Sequence, residues 1–372
     1  MKRKVLLAAV AALLIGLPQG ALADGPDFTI GASASYGYDF NDPDTDGGGP
    51  DSSQNVATYS SQEQAESINI DMVQLGMSGD RGALSYAATV SLGDLAALGG
   101  DSADGDVALQ TMSVTWDTGD MAITAGRFGT PIGYEVLEPW GNANISRSRA
   151  WQSQPVNHDG LTLSGTADVV DWMIGVANSF TVSDFSTAGA GGNDNDDEKA
   201  IIGSVGLTAR GGHDLYLSGI FTEEGDDTDI WMLNAIASGP LEFAGMDIDY
   251  AVEGNIRNDD TDSTDTELRM WNIGFYGGTA VSSSTALDVR VDFTKDEGII
   301  AGTDNILATL GTDDYQAVSV SVTGSIELAP GVAARVEFRH DTSNEDIFGD
   351  GDEMGDTLNT LQAQLIWHPE AG

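Results

Sequence analysis

The chain has 372 residues, no cysteine and a formal net charge of −44 at pH 7. The absence of cysteine excludes a disulfide framework, a thiolate metal site and a cysteine nucleophile. The acidic balance argues against nucleic acid as a partner, because a phosphate backbone binds basic surfaces. It also argues against attachment to anionic lipid headgroups.

Residues 1–23 have the three parts of a secretory signal peptide. Three cations precede an apolar run, and the small residues that follow end in the sequence ALA at 21–23. We expect cleavage before Asp24, and a mature chain, 24–372, that forms one domain. The alternative is a transmembrane anchor. The uninterrupted apolar run stops near Ile15 and is too short to span a bilayer.

From residue 28 onward, apolar and polar side chains alternate, which is the pattern of a half-buried β-strand. In FTIGASASYGYDF, every second residue from Phe28 to Phe40 is apolar or a small alanine. The same period of two returns along the whole chain, and no helical period competes with it. It predicts about sixteen strands, near 28–40, 67–78, 83–93, 109–117, 121–128, 158–165, 169–180, 199–209, 213–222, 229–237, 245–257, 267–277, 285–295, 315–327, 332–341 and 357–368.

Two of these strands change phase. The apolar positions of the second strand shift between Ile70-Met72 and Leu75-Met77, which predicts a bulge. The twelfth strand changes phase near Met270-Trp271.

The connections alternate in length. Short turns lie near 79–83, 117–120, 165–168, 210–213 and 329–331, and long polar connections lie between them. A soluble sandwich gives no reason for this alternation. An up-and-down barrel in the outer membrane does, because it has short periplasmic turns at one end and long external loops at the other. The fold class is therefore all-β, a transmembrane antiparallel up-and-down β-barrel with long acidic external loops.

Aromatic residues mark the strand ends independently. Amphipathic rings concentrate at the two interfaces of a bilayer. We expect one belt at the external ends of strands, from Tyr38, Phe40, Phe180, Phe221, Trp231, Trp271 and Phe293, and another at the periplasmic ends, from Trp116, Trp172 and Trp367.

Sixteen strands enclose more space than side chains fill, so we expect a water-filled lumen. The alternation turns charged residues of both signs toward this lumen, with carboxylates in excess, and rings of charge set selectivity in a pore. A mild cation preference follows. The inward set is Asp247, Asp249, Glu253, Asp288, Asp292, Glu337 and Asp341 with Arg257, Arg290, Arg335 and Arg339.

The connection 129–157 is unusually apolar for an external loop. A segment of this composition prefers shelter from water, so we expect it to fold into the lumen; a packed external cap is the alternative. Five charged residues of the surrounding stretch 125–165, which are Arg127, Glu135, Glu138, Arg147 and Arg149, join the candidates for the lining or constriction of the pore. The full candidate set is Arg127, Glu135, Glu138, Arg147, Arg149, Asp247, Asp249, Glu253, Asp288, Arg290, Asp292, Arg335, Glu337 and Arg339.

The same region resembles a known family. The stretches GRFGTPIGYEV (126–136), SRS (146–148) and NHDGLTLSG (157–165), and more weakly INIDMVQLGMSGD (68–80), are similar to the beta-barrel porin-2 family of bacterial outer-membrane proteins. The resemblance implies a porin-like fold and passive transport, and it supplies no substrate or binding residues. Many outer-membrane barrels end on an aromatic residue, whereas this chain ends in WHPEAG, so the assembly signal expected at Trp367 departs from that pattern.

Other chemistry fits the sequence poorly. Asp42, Asp44 and Asp46 match the first half of a calcium loop, but Ser53 stands where its bidentate glutamate belongs. Three His-Asp pairs lie on strands and turns that do not converge, and no hydrolase or phosphate-loop motif occurs. We expect no enzyme activity, no metal site and no cofactor. The acidic runs 193–198 and 349–356 are solvated loops, or bind divalent cations and bridge lipopolysaccharide.

The sequence thus predicts a bacterial outer-membrane porin for passive diffusion of small hydrophilic solutes or ions. The alternative is a plugged barrel that serves as an adhesin, receptor or structural protein. Expected partners are outer-membrane lipid, lipopolysaccharide and the solutes themselves, and a homotrimer is left open.

Overall fold

The computed structural model describes residues 26–40, 68–99, 107–182, 198–209, 211–225, 227–300, 307, 311–350 and 353–369. The predicted signal peptide, the calcium-like residues Asp42, Asp44 and Asp46, and all but the last residue of the acidic run 193–198 lie outside these ranges. Within them, no helix is both long enough and apolar enough to cross a membrane.

Sixteen antiparallel strands pair in sequence and close into a ring, because the first strand pairs with the last as well as with the second. This confirms the predicted fold class and the number of strands. The strands of the ring are β1 (Asp27–Asp39), β2 (Ile68–Arg81), β3 (Leu84–Leu92), β4 (Val107–Asp117), β5 (Ala122–Gly129), β6 (Asn157–Ala167), β7 (Val170–Ala177), β8 (Ala200–Thr208), β9 (Asp214–Glu224), β10 (Thr228–Phe243), β11 (Met246–Thr261), β12 (Thr266–Ser282), β13 (Thr285–Asp296), β14 (Tyr315–Ala329), β15 (Val332–Ser343) and β18 (Thr357–Trp367).

The remaining elements belong to the connections. Strands β16 (Phe348–Asp350) and β17 (Glu353–Gly355) form a small separate hairpin. The helix α1 (Arg149–Ser153) and a 3-10 turn at Pro139–Gly141 both lie in the connection between β5 and β6. A second 3-10 turn, Asp94–Gly99, follows β3, and a third, Asp262–Thr264, joins β11 to β12. The end of the ring where β2 and β3 join by a tight turn is called the short-turn end, and the opposite end is called the long-loop end.

Along the ring, apolar side chains face outward and most of the charged side chains face inward. In β13, Leu287, Val289 and Phe293 are exposed, whereas Arg290 and Asp292 between them are fully buried. An apolar surface this exposed is stable only against hydrocarbon, and a charged residue is buried only where other groups pair with it. The period of two seen in the sequence is therefore the division between lipid and barrel interior.

The aromatic belts are largely as predicted. Tyr38, Phe40 and Phe293 are exposed toward the long-loop end, and Trp116 and Trp367 toward the short-turn end. Phe180 is an exception, because β7 ends at Ala177 and the chain then bends. The Phe180 ring is 4 % exposed and lies under the guanidinium of Arg257, whose Cζ is 4.4 Å from the ring centroid.

The two predicted phase changes have different outcomes. The register of β1 against β2 shifts between Ser33 and Ser35, so the bulge in β2 is confirmed. Strand β12 pairs with β11 without interruption across Met270. Met270 instead faces inward, where Ile299 and Ile300 of the following connection cover it. An inward apolar residue breaks the alternation in the sequence without breaking the strand.

The orientation of the faces predicts the effect of a charge on the outside. Val336 on β15 is 55 % exposed, and Val336→Arg should destabilise the folded barrel by about 2–4 kcal/mol if this position lies near the middle of the bilayer. Urea titration of the protein refolded in lipid vesicles, followed by tryptophan fluorescence, measures the difference. The control, Val336→Leu, should change little. Equal stability of the arginine and leucine variants would contradict an outward-facing Val336.

Candidate functional site

The residues between β5 and β6, called segment 130–156, contact inward faces on both sides of the ring. They reach Gly31 on β1 and Gln74 on β2, and also Glu253 on β11 and Glu337 on β15. Contacts to such widely separated strands place the segment within the ring. Its two ends lie on neighbouring strands, since Gly129 pairs with Asn157.

Glu337 holds the middle of the segment from β15. Its carboxylate accepts hydrogen bonds from the backbone N–H of Ile145 at 2.7 Å and of Ser146 at 3.1 Å, and from the hydroxyl of Thr323 at 2.6 Å. The Ser146 hydroxyl donates to it as well. A buried carboxylate needs such donors, and this one finds them in the segment's own backbone.

Arg290 on β13 joins the segment at two points. Its guanidinium donates to the Glu135 carboxylate at 2.7 Å and to the Ser146 carbonyl at 2.6 Å, and also to the Ser321 hydroxyl on β14 at 3.0 Å. Glu135 additionally accepts from the backbone N–H of Ser148 at 2.7 Å. The arginine is fully buried, so this ion pair is shielded from salt and water.

A second ionic group surrounds α1. Arg339 on β15 donates to Asp341 through Nε at 2.7 Å and through a terminal nitrogen at 2.8 Å, and to the Arg147 carbonyl at 2.6 Å. Arg149, from the first turn of α1, lies 3.3 Å from the same Asp341 carboxylate and donates to the Tyr315 hydroxyl at 3.4 Å. Asp341 thus bridges the ring and the segment.

Glu253 on β11 is held by neutral donors. Its carboxylate accepts from the Tyr134 backbone N–H at 2.9 Å, the Asn234 amide at 2.7 Å and the Tyr276 hydroxyl at 3.1 Å. The Tyr134 and Tyr276 rings lie beside it, with centroids 4.5 Å apart. Glu253 therefore fixes the first turn of the segment without an arginine partner among these contacts.

Arg147 stiffens the segment internally. Its guanidinium donates to the carbonyls of Val136, Leu137 and Ile145 at 3.0–3.1 Å and lies over the Trp151 ring. Burial lowers the pKa of Arg147, and the nearby Glu135 carboxylate opposes that shift. The side chain ties the two arms of the segment together instead of facing water.

Apolar contacts complete the attachment. Ile132 packs into a buried cluster with Ile202, Ile220 and Met232 from the inward faces of β8–β10. On another side, Leu137 and Trp151 pack with Met72 of β2 and Leu95. These two clusters supply the shelter that the apolar composition of the segment predicts.

The tip of the segment reaches toward the short-turn end. Trp140, in the 3-10 turn, stacks on His368 with ring centroids 5.0 Å apart and planes at 10°. The Glu138 carboxylate accepts from the Gln74 amide at 2.9 Å, and the Pro139 carbonyl accepts from Arg335 at 3.1 Å.

The fourteen candidate residues divide into four groups. Asp247 and Asp249 are exposed near the short-turn end, and Glu138, Asp288 and Arg335 are partly exposed. Arg127 stands apart. The other eight are buried in the contacts around the segment: Glu135, Arg147, Arg149, Glu253, Arg290, Asp292, Glu337 and Arg339.

Arg127 contradicts the sequence-based expectation of a place in the lumen. On β5 it pairs in register with Met112 and Asp159, on the face that carries the exposed Leu161. Its guanidinium forms a two-point ion pair with Asp159 at 2.7–2.8 Å and donates to the Leu109 carbonyl at 2.9 Å. The residue therefore lies on the outer face of the ring, and the ion pair makes that position tolerable.

Some residues that hold the segment were not among the candidates. Gln74 and Ser146 lie in the stretches 68–80 and 146–148 that resemble the porin family, whereas Gly31 and Thr323 are ordinary strand residues until the tertiary contacts are known. For Gly31, the alternation along β1 predicts an inward position, because its neighbours Ile30 and Ala32 belong to the apolar, outward set.

Within the described ranges, no group of three or more histidine and acidic side chains could hold a metal ion.

A closed ring of sixteen antiparallel strands, apolar outside and charged inside, is the architecture of an outer-membrane porin. The chain belongs to the family described as "Putative beta-barrel porin-2, OmpL-like", whose model matches residues 27–368. It is therefore a channel-forming protein of the bacterial outer membrane. No curated protein matches the chain.

Solved structures show the same fold at low sequence identity. An anion-selective porin from Comamonas acidovorans is 11% identical with a TM-score of 0.60, covering 92% of this chain and 100% of its own. Pseudomonas putida OprB is 12% identical with a TM-score of 0.59, covering 92% and 94%. The trimer form of OmpT from Vibrio cholerae, an outer membrane protein, is 11% identical with a TM-score of 0.57, covering 92% and 99%.

The buried ion pair predicts a coupled mutational effect. Arg290→Met should destabilise the barrel by about 3–5 kcal/mol, because Glu135 is then buried without its partner. Adding Glu135→Gln should recover part of this loss, giving a coupling free energy of about 1–3 kcal/mol in a double-mutant cycle. Urea unfolding measures all four proteins.

The control for this cycle is an exposed pair. Arg269→Met breaks the contact with Glu267 at the surface and should change the unfolding free energy little. Additive effects of Arg290→Met and Glu135→Gln would show that the two residues do not stabilise each other.

Proposed function

We propose that segment 130–156 constricts the lumen and limits passage to small hydrophilic solutes. The observation that carries this proposal is the buried ionic attachment of the segment to β13 and β15 through Arg290, Glu337 and Arg339. Attachments of this kind hold a chain segment in one place, because any displacement leaves buried charges unpaired. A segment that is held in one position narrows the pore by a constant amount.

Among ions, we propose a mild preference for cations. Most of the charged candidates are paired around the segment, so selectivity rests on the accessible residues Asp247, Asp249 and Asp288, against the single guanidinium of Arg335. The exposed ring of Tyr134 lies in the same field. Burial raises the pKa of Tyr134, and the carboxylates of Glu135, Asp249, Asp288 and Glu253 raise it further. A negative local potential favours cations near this part of the lumen.

The second candidate is a plugged barrel with an adhesive or structural role. The two apolar clusters favour it, because Ile132, Leu137 and Trp151 fill interior space that water would otherwise occupy. Passage of solute through the wild-type protein separates the two functions.

The remaining assignments extend the proposal. Membership of a porin family supports a role without catalysis. The trimer form of OmpT supports a homotrimer as the assembly to test. We also propose that residues 1–23 are removed on export, and that lipopolysaccharide, bridged by divalent cations on the acidic loops, surrounds the long-loop end.

Replacing residues 131–155 with a four-residue Gly/Ser turn tests the constriction. Gly129 pairs with Asn157, so a short turn can join β5 to β6. We expect single-channel conductance to rise several-fold and liposomes to swell with larger sugars, because the obstacle is gone. Swelling of wild-type liposomes with small sugars supports the porin, whereas swelling only of the shortened variant supports the plugged barrel.

The cation preference has its own test. In the variant Asp247→Asn, Asp249→Asn, Asp288→Asn, the cation-to-anion permeability ratio should fall about twofold or more. Reversal potentials in planar bilayers under a salt gradient measure this ratio. The control is Asp229→Asn, an exposed residue of β10 on the same face as Trp231. An anion preference of the wild-type protein would overturn the proposal.

A further inference from the structure

We infer that Trp140 is the positioning residue that fixes the tip of the constriction, by bracing it against the seam where the ring closes. This inference rests on the proposed constriction by segment 130–156 and names the contact that sets its position. It concerns the tip alone, since the ionic attachments of the segment lie on either side of it, at Glu135 and at residues 145–149.

The first contact is a niche on β1. A Cβ atom added to Gly31 would lie 2.5 Å from Cη2 of Trp140 and 2.6 Å from Cζ2, much closer than van der Waals contact allows. Gly31 is an inward, buried position in the middle of a strand, where glycine weakens the sheet and usually marks the close approach of another group. Here that group is the indole of Trp140.

The second contact lies just beyond the last strand. The Trp140 ring stacks on His368, the residue that follows β18, with planes only 10° apart. The backbone N–H of His368 donates to the Gly331 carbonyl in the turn between β14 and β15 at 2.7 Å, so the imidazole is attached to the ring. His368 thus presents a fixed ring for Trp140 to stack on, just beyond the terminal strand.

These two contacts lie on opposite sides of the seam. Strand β1 pairs with β18 from Ala32 opposite Trp367 to Asp39 opposite Thr360, and this pairing closes the ring. Gly31 and His368 are the residues next to the first of these pairs. Trp140 therefore spans the seam from inside at its short-turn end.

Two hydrogen bonds flank the indole without replacing it. Gln74 of β2 donates to Glu138, and Arg335 of β15 donates to the Pro139 carbonyl. Both partners are flexible side chains that can follow a moving tip, whereas a stacked indole in a closed niche cannot shift without losing its contacts. The tip position, and with it the free cross-section beside it, depends on Trp140.

The test compares variants that empty or fill the niche. Trp140→Ala removes the indole, Gly31→Val fills its place, and His368→Ala removes the stacking partner. Trp140→Phe keeps a smaller ring as the conservative variant, and Trp116→Ala removes an exposed outward tryptophan as the control. Each protein is refolded in lipid, and its folded fraction is measured before use.

The first readout is the channel itself. Trp140→Ala and Gly31→Val should each raise single-channel conductance about twofold and admit larger sugars in liposome swelling, while Trp140→Phe and Trp116→Ala stay near wild type. The double variant Gly31→Val, Trp140→Ala should be no wider than Trp140→Ala alone, because both changes act on one contact. If Trp140 only stabilised the fold, Trp140→Ala would lower the free energy of unfolding without changing the size of sugar that passes.

The second readout does not depend on transport. The chain has no cysteine, so Ala143→Cys, at an exposed position next to the tip, provides a unique thiol. Its reaction with a membrane-impermeant maleimide should quicken about threefold or more in the Trp140→Ala background, because a freed tip moves more.

The outcomes separate the two proposals. Unchanged thiol reactivity and unchanged sugar cut-off in Trp140→Ala overturn the role of Trp140 and leave the constriction standing. Faster thiol reaction with no solute passage in any variant supports the role of Trp140 in fixing the tip and removes the porin function. Equal widening by Gly31→Val with and without Trp140 also overturns the inference, since the two residues would then act separately.

Discussion

The structure depends on one constraint, which is that a backbone N–H or C=O group facing hydrocarbon must find its partner within the protein. A sheet with free edges leaves such groups unpaired, so the chain returns on itself and β1 pairs with β18. Once the ring is closed, the alternation of side chains follows automatically, with Val289 outward and Arg290 inward. Whether a side chain faces lipid or the interior is then set by its position in the alternation along its strand.

A second constraint acts on the inward face, since a charged group in the interior must either pair with another group or stay hydrated. In β13 and β15 they are paired, and their partners are the backbone and side chains of segment 130–156. Near the short-turn end, the side chains of Asp247 and Asp249 are exposed to solvent. The inward residues therefore divide into two parts: one part holds the segment, and the other part remains exposed.

The sequence was sufficient for the features that depend on local periodicity. The strands, the closed barrel and the bulge in β2 all follow from a period of two and its interruption. It failed where a residue far away in the sequence, or the strand register, determines the surroundings of a side chain. Met270 breaks the alternation because Ile299 and Ile300 cover it, and Arg127 was assigned to the lumen because it adjoins the segment, although its register places it outside. The contact between Gly31 and Trp140 joins residues more than a hundred positions apart, so no pattern in the sequence could reveal it.

The long sequence separation of the segment's contacts has a consequence for assembly. Ile145 precedes Glu337 by 192 residues, and Pro139 precedes Arg335 by 196. Segment 130–156 precedes β13 and β15 in the chain, so its contacts with these strands are far apart in sequence. The contacts to Glu337 and Arg335 therefore cannot form before β15 is in place, which makes this part of the interior a strongly non-local part of the fold.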